Sequence, residues 1–332
     1  MSKQPRRVTA LDVARAAGVS KTTVSYVLNA TPRQSFPEET RQRILTAVKD
    51  LNYTPLSAAR ALRRGRNDTV LLVVPDWPLG RTLAQIFDGL AEKLESRGLD
   101  LMFRRIRPGQ PFTVIWRELA PAAVIALGEV EDTEQQEMRD AGIFVASALL
   151  TASSSTQAVV VPQEQIGALQ AQHLAGRGHR RLGYAAPSDP RFHAFRDPRV
   201  DGARRACLEL GIDEPVVLDL DLTVDAAVAA VRAWAHRPEP VTGVIAYNDE
   251  FAGAVLAAAR ELGISVPQDL AVIGVDNEPL ARFTAPSLST VDQNQDMVVD
   301  HLAGIVFNGI FGEPIPPAPR SDALSLLVRE ST

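Results

Sequence analysis

One stretch of sequence determines the fold of the N-terminal region: VTALDVARAAGVSKTTVSYVLN, residues 8–29. Thr9, followed three residues later by Asp12, has the pattern of a capping box and predicts the start of a first helix. Gly18 predicts the end of that helix, because glycine readily takes the left-handed backbone conformation found at helix C-termini. The stretch therefore opens with a short, capped helix.

A second helix follows the glycine at once. Ser20 is a suitable N-terminal cap for it, and Val24 and Val27 provide its buried face. Two helices this close in sequence must cross steeply, and Ala14 is small enough to let them approach. This pattern is typical of a helix-turn-helix, whose second helix enters the major groove of DNA. The alternative is an ordinary helical hairpin with a glycine turn.

The helix-turn-helix interpretation assigns contacts to individual side chains. We expect base contacts from Ser20, Lys21, Thr22 and Tyr26, and phosphate contacts from Thr23, Ser25, Asn29 and Tyr53. Thr9 is a further DNA-binding candidate. Lys21 can donate to guanine acceptors, and Thr22 offers a hydroxyl or a methyl group to a base edge.

A third helix begins near Pro37, and its apolar residues complete a three-helix core: Ile44, Leu45, Val48 and Leu51. Residues 57–64 are then basic, contain good helix formers and are too few to form a stable helix alone. They predict a hinge that folds on DNA, with Arg60 as a contact and Leu62 wedged into a minor-groove step. A flexible charged linker is the alternative.

Charge is distributed unevenly along the 332 residues. Residues 1–67 carry 13 Lys/Arg and 4 Asp/Glu, whereas the remainder carries 22 Lys/Arg and 36 Asp/Glu. A head of net charge +9 on a body of net charge −14 is typical of a nucleic-acid-binding module fused to another domain. A basic solvated face is the alternative.

Composition excludes several classes of protein. Apolar residues make up 45% and charged residues 23%, which is typical of a globular chain. Cys207 is the single cysteine, so neither an internal disulfide nor a cysteine-based zinc site is possible. No signal peptide and no stretch of eighteen apolar residues is present, so we expect a cytoplasmic protein without membrane contact. No cofactor and no metal site are predicted.

From residue 69 the sequence alternates between strands and helices, which predicts parallel sheets with helices on both faces. The predicted strands are 69–76, 99–105, 122–128, 144–150, 158–162, 180–186, 215–222, 241–249 and 270–277. The predicted helices include 83–98, 163–176, 199–210, 224–236 and 250–262. Over 265 residues, two sheets are favoured over one, with the ligand outside the carboxyl ends of the strands.

Three polar residues stand at the predicted cleft. Arg199 starts a predicted helix, and Asn248 and Asp276 each end a predicted strand. A guanidinium, an amide and a carboxylate that converge in a cleft suit bidentate hydrogen bonds with vicinal hydroxyls. The alternative is that they are strand-end caps and turn residues.

We find no catalytic motif in the body. The segment GRGHRRLG, residues 176–183, lacks the spacing of a dinucleotide fingerprint, and neither a GxxxxGK[ST] nor a GxSxG motif is present. Three of the five histidines do not have metal-ligand spacing: His173, His179 and His193. The sequence therefore predicts a protein that is not an enzyme.

The chain resembles the LacI/GalR family of bacterial transcription regulators. The resemblance rests on residues 8–29, PEETRQRILTAVKDLNYTP, AARALRRG, HLAGRGHRRLGY, AYNDEFAGAVLAAARELGISVPQDLAVIGVDN and PLARFTAPSLSTV. The body is similar to periplasmic sugar-binding proteins. The resemblance implies that Leu62 is a minor-groove lever that acts with a second subunit, and that Arg199, Asn248 and Asp276 contact an effector.

The chain departs from the family pattern at several positions. Tyr26 stands where many members carry Arg, and Gln163 stands where members usually carry Asp. Trp77 is the only aromatic candidate near the first strand. Further candidates to line or gate the cleft are Arg191, Phe192, His193 and Phe195, and of these Phe192 joins Trp77 among the predicted effector contacts. With so few aromatics, a sugar is only the default effector.

These expectations combine into an all-α helix-turn-helix head on an α/β bilobal body like that of periplasmic binding proteins. We expect a DNA-binding domain (1–55), a hinge (56–67) and an effector and dimerisation domain (68–332). The last is divided into an N-lobe (68–161, 292–321) and a C-lobe (162–291, 322–332).

The expected function is a repressor, dimeric on a pseudo-palindromic DNA operator and controlled by a small molecule. A dimer is favoured over a tetramer because the sequence ends without heptads. A solute-binding protein and a cytoplasmic sugar-modifying enzyme are the alternatives.

Overall fold

Short helices form the N-terminal unit of the computed structural model, which describes residues 8–28, 36–53, 67–107, 113–150, 158–317 and 324–332. They are α1 (Ala10–Ala17), α2 (Lys21–Leu28) and α3 (Glu38–Asp50). The backbone N–H and the hydroxyl of Thr9 donate to the Asp12 carboxylate at 2.9 and 2.7 Å. Gly18 takes a φ of +65° after α1. The predicted start and end of the first helix are therefore confirmed.

The core of this unit is small and built from six buried side chains: Val13, Ala14, Ala17, Val24, Ile44 and Ala47. Val27, Val48 and Leu51 pack around them and are partly buried, as predicted. Leu45 is 40% exposed, so its predicted core position is wrong. It lies about 100° around α3 from Ile44, and Ala47 takes the inward position instead.

Residues 68–332 form the second unit, whose first sheet belongs to what we call lobe A (residues 69–160 and 295–311). Its strands are β1 (Thr69–Val74), β2 (Asp100–Arg105), β3 (Ala123–Leu127), β4 (Phe144–Leu149) and β5 (Ala158–Val160). All pairs are parallel, in the order β2-β1-β3-β4-β5. The helices between them are α4 (Arg81–Glu95), α5 (Thr113–Leu119) and α6 (Asp132–Asp140).

Lobe B (residues 163–292 and 325–332) contains the second sheet. Its strands are β6 (Leu182–Pro187), β7 (Val216–Leu220), β8 (Gly243–Ala246), β9 (Ala271–Val275), β10 (Ser289–Asp292) and β11 (Ser325–Leu327). The order is β11-β10-β9-β8-β6-β7, and only β11 pairs antiparallel. Its helices include α8 (His193–Glu209), α9 (Val224–Ala235) and α10 (Asp249–Glu261). Two sheets of this kind confirm the predicted fold class.

Each of two helices packs in one lobe although the strand that precedes it belongs to the other lobe. Helix α7 (Gln163–Gly176) follows β5 of lobe A, yet its apolar side chains join the core of lobe B. Helix α11 (Gln295–Phe311) follows β10 of lobe B, yet its side chains join the core of lobe A. The chain therefore crosses between the lobes at residues 161–162 and again at 293–294.

Helices α7 and α8 pack at very short range. A Cβ atom on Gly167 would lie 1.8 Å from the carbonyl oxygen of Arg199, and one on Gly202 would lie 1.9 Å from that of Glu164. Because backbone atoms cannot move aside as a side chain can, both positions require glycine. This contact fixes α8, and with it the position of Arg199.

The structure corrects several element predictions. Helix α8 begins at His193, so Arg199 lies inside the helix and not at its start. Pro198, directly before Arg199, lies in the interior of this seventeen-residue helix. The prediction also omitted α5, α6, α11, β10 and β11. Helix α11 is apolar on most of its surface because it is buried in lobe A, so it lacks the alternating pattern of a surface helix.

None of the helices in the described ranges is long and apolar enough to cross a membrane. Within the same ranges, no group of three or more His, Cys, Asp or Glu side chains is arranged to hold a metal ion.

Candidate DNA-binding helix and effector cavity

The N-terminus of α2 is shaped by two hydroxyl side chains. The Ser20 Oγ accepts a hydrogen bond from the Thr23 backbone N–H at 3.0 Å, which confirms Ser20 as the cap of this helix. The Ser20 and Thr23 hydroxyls also lie 2.8 Å apart. Lys21 and Thr22, between them, are exposed. The first turn of α2 thus holds two hydroxyls in place and extends two side chains into solvent.

Other predicted DNA contacts are more constrained. The Tyr26 ring stacks on Phe36, with ring centroids 6.3 Å apart and an interplanar angle of 24°. Tyr53 packs against the core of the three-helix unit, and Ser25 is half-buried. The Thr9 hydroxyl already donates to Asp12 within the helix cap.

Three of the predicted contacts, Asn29, Arg60 and Leu62, lie outside the residues that the structure describes.

A cavity of about 240 Å³ lies between lobes A and B. Its lining includes all five side chains predicted to contact the effector: Trp77, Phe192, Arg199, Asn248 and Asp276. Gln163 and Phe195 also line it, whereas Arg191 and His193 are not among its lining residues. The chain therefore brings together residues that are up to 199 positions apart in sequence.

Arg199 is a buried polar group of the cavity that two hydrogen bonds hold in place. Its side chain is only 4% exposed. Nε donates to Gln163 Oε1 at 2.8 Å, and Nη1 donates to the Tyr247 carbonyl at 2.7 Å. The guanidinium carbon also lies 4.8 Å from the centroid of the Tyr247 ring. Gln163 stands where members of the family that the sequence resembles usually carry Asp. Arg199 is therefore oriented here by a neutral acceptor.

Asn248 follows β8 and caps helix α10. Its Oδ1 accepts the Phe251 backbone N–H at 3.1 Å. Because the carbonyl end of the side chain is engaged in the cap, its Nδ2 group is the remaining donor. The structural role and a ligand contact are therefore compatible in the same residue.

Asp276 follows β9 with a φ of +100°. The side-chain amide of Gln293 donates to its Oδ1. Burial raises the pKa of Asp276 above its usual range, whereas Arg199 and hydrogen bonds from Gln293 and Thr82 oppose this rise. Since Thr82 belongs to lobe A, the Asp276 carboxylate is one point at which the two lobes meet.

Aromatic rings form a second contact between the lobes. Trp77 of lobe A meets Phe195 of lobe B edge to face, with centroids 4.6 Å apart and an angle of 68°. Within lobe B, Phe192 meets Tyr247 edge to face at 5.3 Å. Tyr247 was not predicted from the sequence, although its place directly after β8 and before Asn248 was a usable signal.

Asp249, directly after Asn248 at the start of α10, was also not identified from the sequence. It is 4% exposed and accepts the Thr290 hydroxyl at 2.6 Å and the Glu278 backbone N–H at 2.7 Å. Burial raises the pKa of Asp249 to about 7, and these two hydrogen bonds limit the rise. The carboxyl group thereby ties α10 to β10 and to the loop after β9.

Known proteins share both parts of this arrangement. Residues 9–56 match the family described as bacterial regulatory proteins, lacI family, and residues 171–332 match a periplasmic binding protein-like domain. The HTH-type transcriptional regulator CelR of Thermobifida fusca is 32% identical over 340 residues, which covers 98% of each chain.

Solved structures show the same likeness. A complex of the transcriptional regulator CelR with cellobiose has a TM-score of 0.63 at 29% identity, over 98% of this chain and 100% of that chain. The Lac repressor dimer bound to operator and the anti-inducer ONPF has a TM-score of 0.75 at 20% identity. It covers 98% of this chain and 99% of that chain, and at this identity the likeness concerns the fold.

The resemblance seen in the sequence is therefore confirmed over nearly the whole chain. Relatives of this kind are regulators, so the alternatives of a solute-binding protein and a sugar-modifying enzyme are not supported. The helix-turn-helix unit and the two-lobed body belong to one protein: the chain is a member of the lacI family of bacterial regulatory proteins, a DNA-binding transcriptional regulator and not an enzyme.

Proposed function

We propose that this chain is a cytoplasmic repressor that binds a pseudo-palindromic operator as a dimer and is controlled by a small molecule in the cavity between lobes A and B. The observation that carries the proposal is the convergence of Arg199, Asn248 and Asp276 on a cavity that both lobes line. A ligand that touches both lobes favours one lobe orientation over another through its differential affinity.

Each segment of the chain has its own function. Residues 1–55 bind DNA, residues 56–67 form the hinge, and residues 68–332 bind the effector and form the dimer. The effector and dimerisation domain is divided into an N-lobe (68–161 and 292–321), built around lobe A, and a C-lobe (162–291 and 322–332), built around lobe B. Two heads carried by one dimer would face adjacent half-sites, which is why a pseudo-palindrome is expected.

Within the head, the exposed side chains of Lys21 and Thr22 are assigned to base edges. Ser20 is assigned to a base edge as well, and Thr23 and Ser25 are assigned to the neighbouring phosphates of the DNA. Tyr26 offers its hydroxyl from a ring that Phe36 holds on one side. Thr9, Asn29 and Tyr53 contact phosphates, and Arg60 and Leu62 act in the minor groove.

The direct test of DNA recognition is selection of bound sequences from random duplex DNA by the full-length protein. The expected result is a pair of inverted half-sites. Lys21→Ala should change the preferred base at one position of each half-site, since a side chain at a base edge is worth about 1–3 kcal/mol of discrimination. Lys93→Ala is the matched control, because Lys93 lies in lobe A paired with Asp300 at 2.8 Å. Enrichment of no sequence would contradict the proposal.

Effector control is tested at Arg199. Operator affinity is first measured with a panel of saccharides, beginning with cellobiose because the related CelR has been solved with that sugar. Arg199→Ala should weaken the response to any active compound at least thirtyfold, since loss of a buried charged partner removes about 2–5 kcal/mol. Operator affinity without the compound should not change.

Arg205→Ala provides the matched control for that variant. Arg205 lies on the same helix α8, is exposed, and pairs with Glu164 at 3.1 Å. It should respond as the unchanged protein does. A normal response from Arg199→Ala would overturn the assignment of the cavity.

A further inference from the structure

The two walls of the cavity differ in chemistry. Lobe A contributes apolar side chains from the ends of β3 and β4, from α4 and from α11: Leu83, Ile86, Leu127, Ala148, Leu150, Val298 and Leu302. Among the lining residues of lobe A, the polar side chains are Arg81 and Thr82, besides the indole N–H of Trp77. Thr82 already hydrogen bonds to Asp276. This wall therefore offers few partners to a ligand hydroxyl.

The lobe A wall is continuous with the interior of the lobe. Ile86, Leu127, Val298 and Leu302 belong to the same apolar cluster as the buried strands of its sheet. A hydroxyl pressed against such a wall would lose its water without gaining a hydrogen bond, which is unfavourable. A free sugar carries hydroxyls on nearly every edge, so part of it would be placed there.

The lobe B wall is polar. Arg199, Asn248 and Asp276 provide a guanidinium, an amide and a carboxylate. The charged residues that line the whole cavity are two arginines and three carboxylates: Arg81, Arg199, Glu250, Asp276 and Glu278. This balance does not favour a negatively charged ligand. Uncharged hydroxyls, which both donate and accept, suit a guanidinium and a carboxylate side by side.

We propose that the effector is an uncharged, two-sided molecule, with hydroxyl groups along one edge and an apolar ring body on the other. The hydroxyl edge lies on Arg199, Asn248 and Asp276, and the apolar body packs on the lobe A wall beside Trp77. The chemical class is a glycoside with an aromatic aglycone, or another hydroxylated compound with an aromatic body. This inference rests on the proposed function, because it concerns the same cavity.

The test uses matched pairs of compounds with the full-length protein. Calorimetry measures the affinity for glucose, galactose, xylose and arabinose, each as the free sugar and as the phenyl glycoside. Benzyl alcohol and catechol are added to separate a glycoside from a simpler aromatic alcohol, and phenyl glucuronide tests the effect of a negative charge. We expect a phenyl form to bind at least about tenfold more tightly than its free sugar, because apolar groups in hydrophobic pockets change affinity by roughly 10–200-fold.

A variant pair assigns the gain to the lobe A wall. Val298→Thr replaces a methyl group of the wall by a hydroxyl of similar size and should remove most of the preference for the phenyl form. Val306→Thr makes the same change on the same helix α11, at a buried position that does not line the cavity. It should keep the preference, which distinguishes a wall effect from a loss of stability.

The outcomes separate this inference from the proposed function. If free sugars bind as tightly as their phenyl forms and change operator affinity, the proposed function stands and the inference is wrong. Phenyl compounds that bind but never change operator affinity would support the inference and contradict effector control. If no compound of either series binds, or if the glucuronide binds most tightly, the inference is overturned.

Discussion

Lobes A and B repeat one strand order with opposite chemistry at the strand ends. In lobe A the order β2-β1-β3-β4-β5 leads to Leu127 and Leu150 at the cavity. In lobe B the order β7-β6-β8-β9-β10 leads to Asn248 and Asp276. Topology decides where a ligand meets the protein, whereas the residues after each strand decide which face of the ligand is hydrogen bonded and which is packed.

The helices that cross between the lobes differ in a similar way. Gly167 on α7 faces backbone atoms of α8 in lobe B, whereas Gly309 on α11 faces the Phe144 ring in lobe A. The Phe144 side chain can move by rotation about its Cα–Cβ bond, but a helix backbone moves only as a unit. The contact between helices in lobe B is therefore less adaptable than the contact at Gly309 in lobe A. This suits lobe B, which must hold Arg199 in one place.

The largest effect is expected from Gly167→Ala. Its Cβ would lie 1.8 Å from the Arg199 carbonyl oxygen, so α7 and α8 would have to separate. We expect a loss of about 3 kcal/mol in the free energy of unfolding, at the upper end for overpacked sites. Urea denaturation measures the change.

Two further glycine variants sharpen that comparison. Gly309→Ala should cost about 1 kcal/mol, because the half-buried Phe144 ring can give way. Gly176→Ala, at the end of α7, meets nothing within 4 Å and should stabilise the protein by up to about 1 kcal/mol. A larger loss for Gly309→Ala than for Gly167→Ala would show that the two lobes do not differ in this respect.

An intermediate effect is expected from pH and Asp249. Its pKa of about 7 in the folded protein exceeds the value near 3.9 of an unfolded chain, so the folded state holds a proton that the unfolded state releases. Stability should therefore fall as pH rises from about 4 to 7, with a slope of roughly 1 kcal/mol per pH unit from this group.

Asp249→Asn tests that slope, since an amide mimics the protonated carboxyl. The variant should be more stable than the unchanged protein at pH 8 and should show a flatter profile of urea midpoint against pH between 5 and 8. Burial also raises the pKa of Asp276 and of Glu278, so a smaller slope of the same sign should remain. An unchanged profile would mean that Asp249 is ionised in the folded protein at pH 5.

The smallest effect is expected from Tyr184→Phe on β6. The side chain is fully buried, and its hydroxyl has no hydrogen-bond partner among the described residues. Removing an unpaired buried hydroxyl should raise the free energy of unfolding by about 1 kcal/mol. The corresponding first strand of lobe A, TVLLVV, has an apolar buried run and needs no such correction. A loss of stability on calorimetric unfolding would contradict this account.

Sequence predicted the fold well where the signal was local. The capping pattern at Thr9, the glycine turn at residue 18 and the apolar strands all depend on neighbouring residues. Asn248 and Asp276 were identified because strand ends meet at one edge of a parallel sheet. Arg199 was identified with the help of the family resemblance, although it lies inside α8 and not at its predicted start. Their convergence on one cavity follows from the structure.

The errors arise where distant contacts decide. Leu45 is apolar, like the residues of a core, but its position around the axis of α3 directs it outward. Asp249 looks like an ordinary first-turn acid, and only its contacts with Thr290 and with the loop at Glu278, far along the chain, bury it. The part of the cavity wall that α11 forms could not be predicted from the sequence. The strand before this helix, β10, belongs to lobe B, but the helix itself packs in lobe A.

That return has a consequence for how the molecule can be divided. Residues 69–160 alone would leave lobe A without α11, exposing the apolar face that this helix covers. Residues 163–292 keep α7 but would lose β11, the outer strand of their sheet. An isolated half of the body would therefore be a fragment with an open core. Synthesis must pass residue 311 before lobe A is complete and residue 327 before the sheet of lobe B is complete.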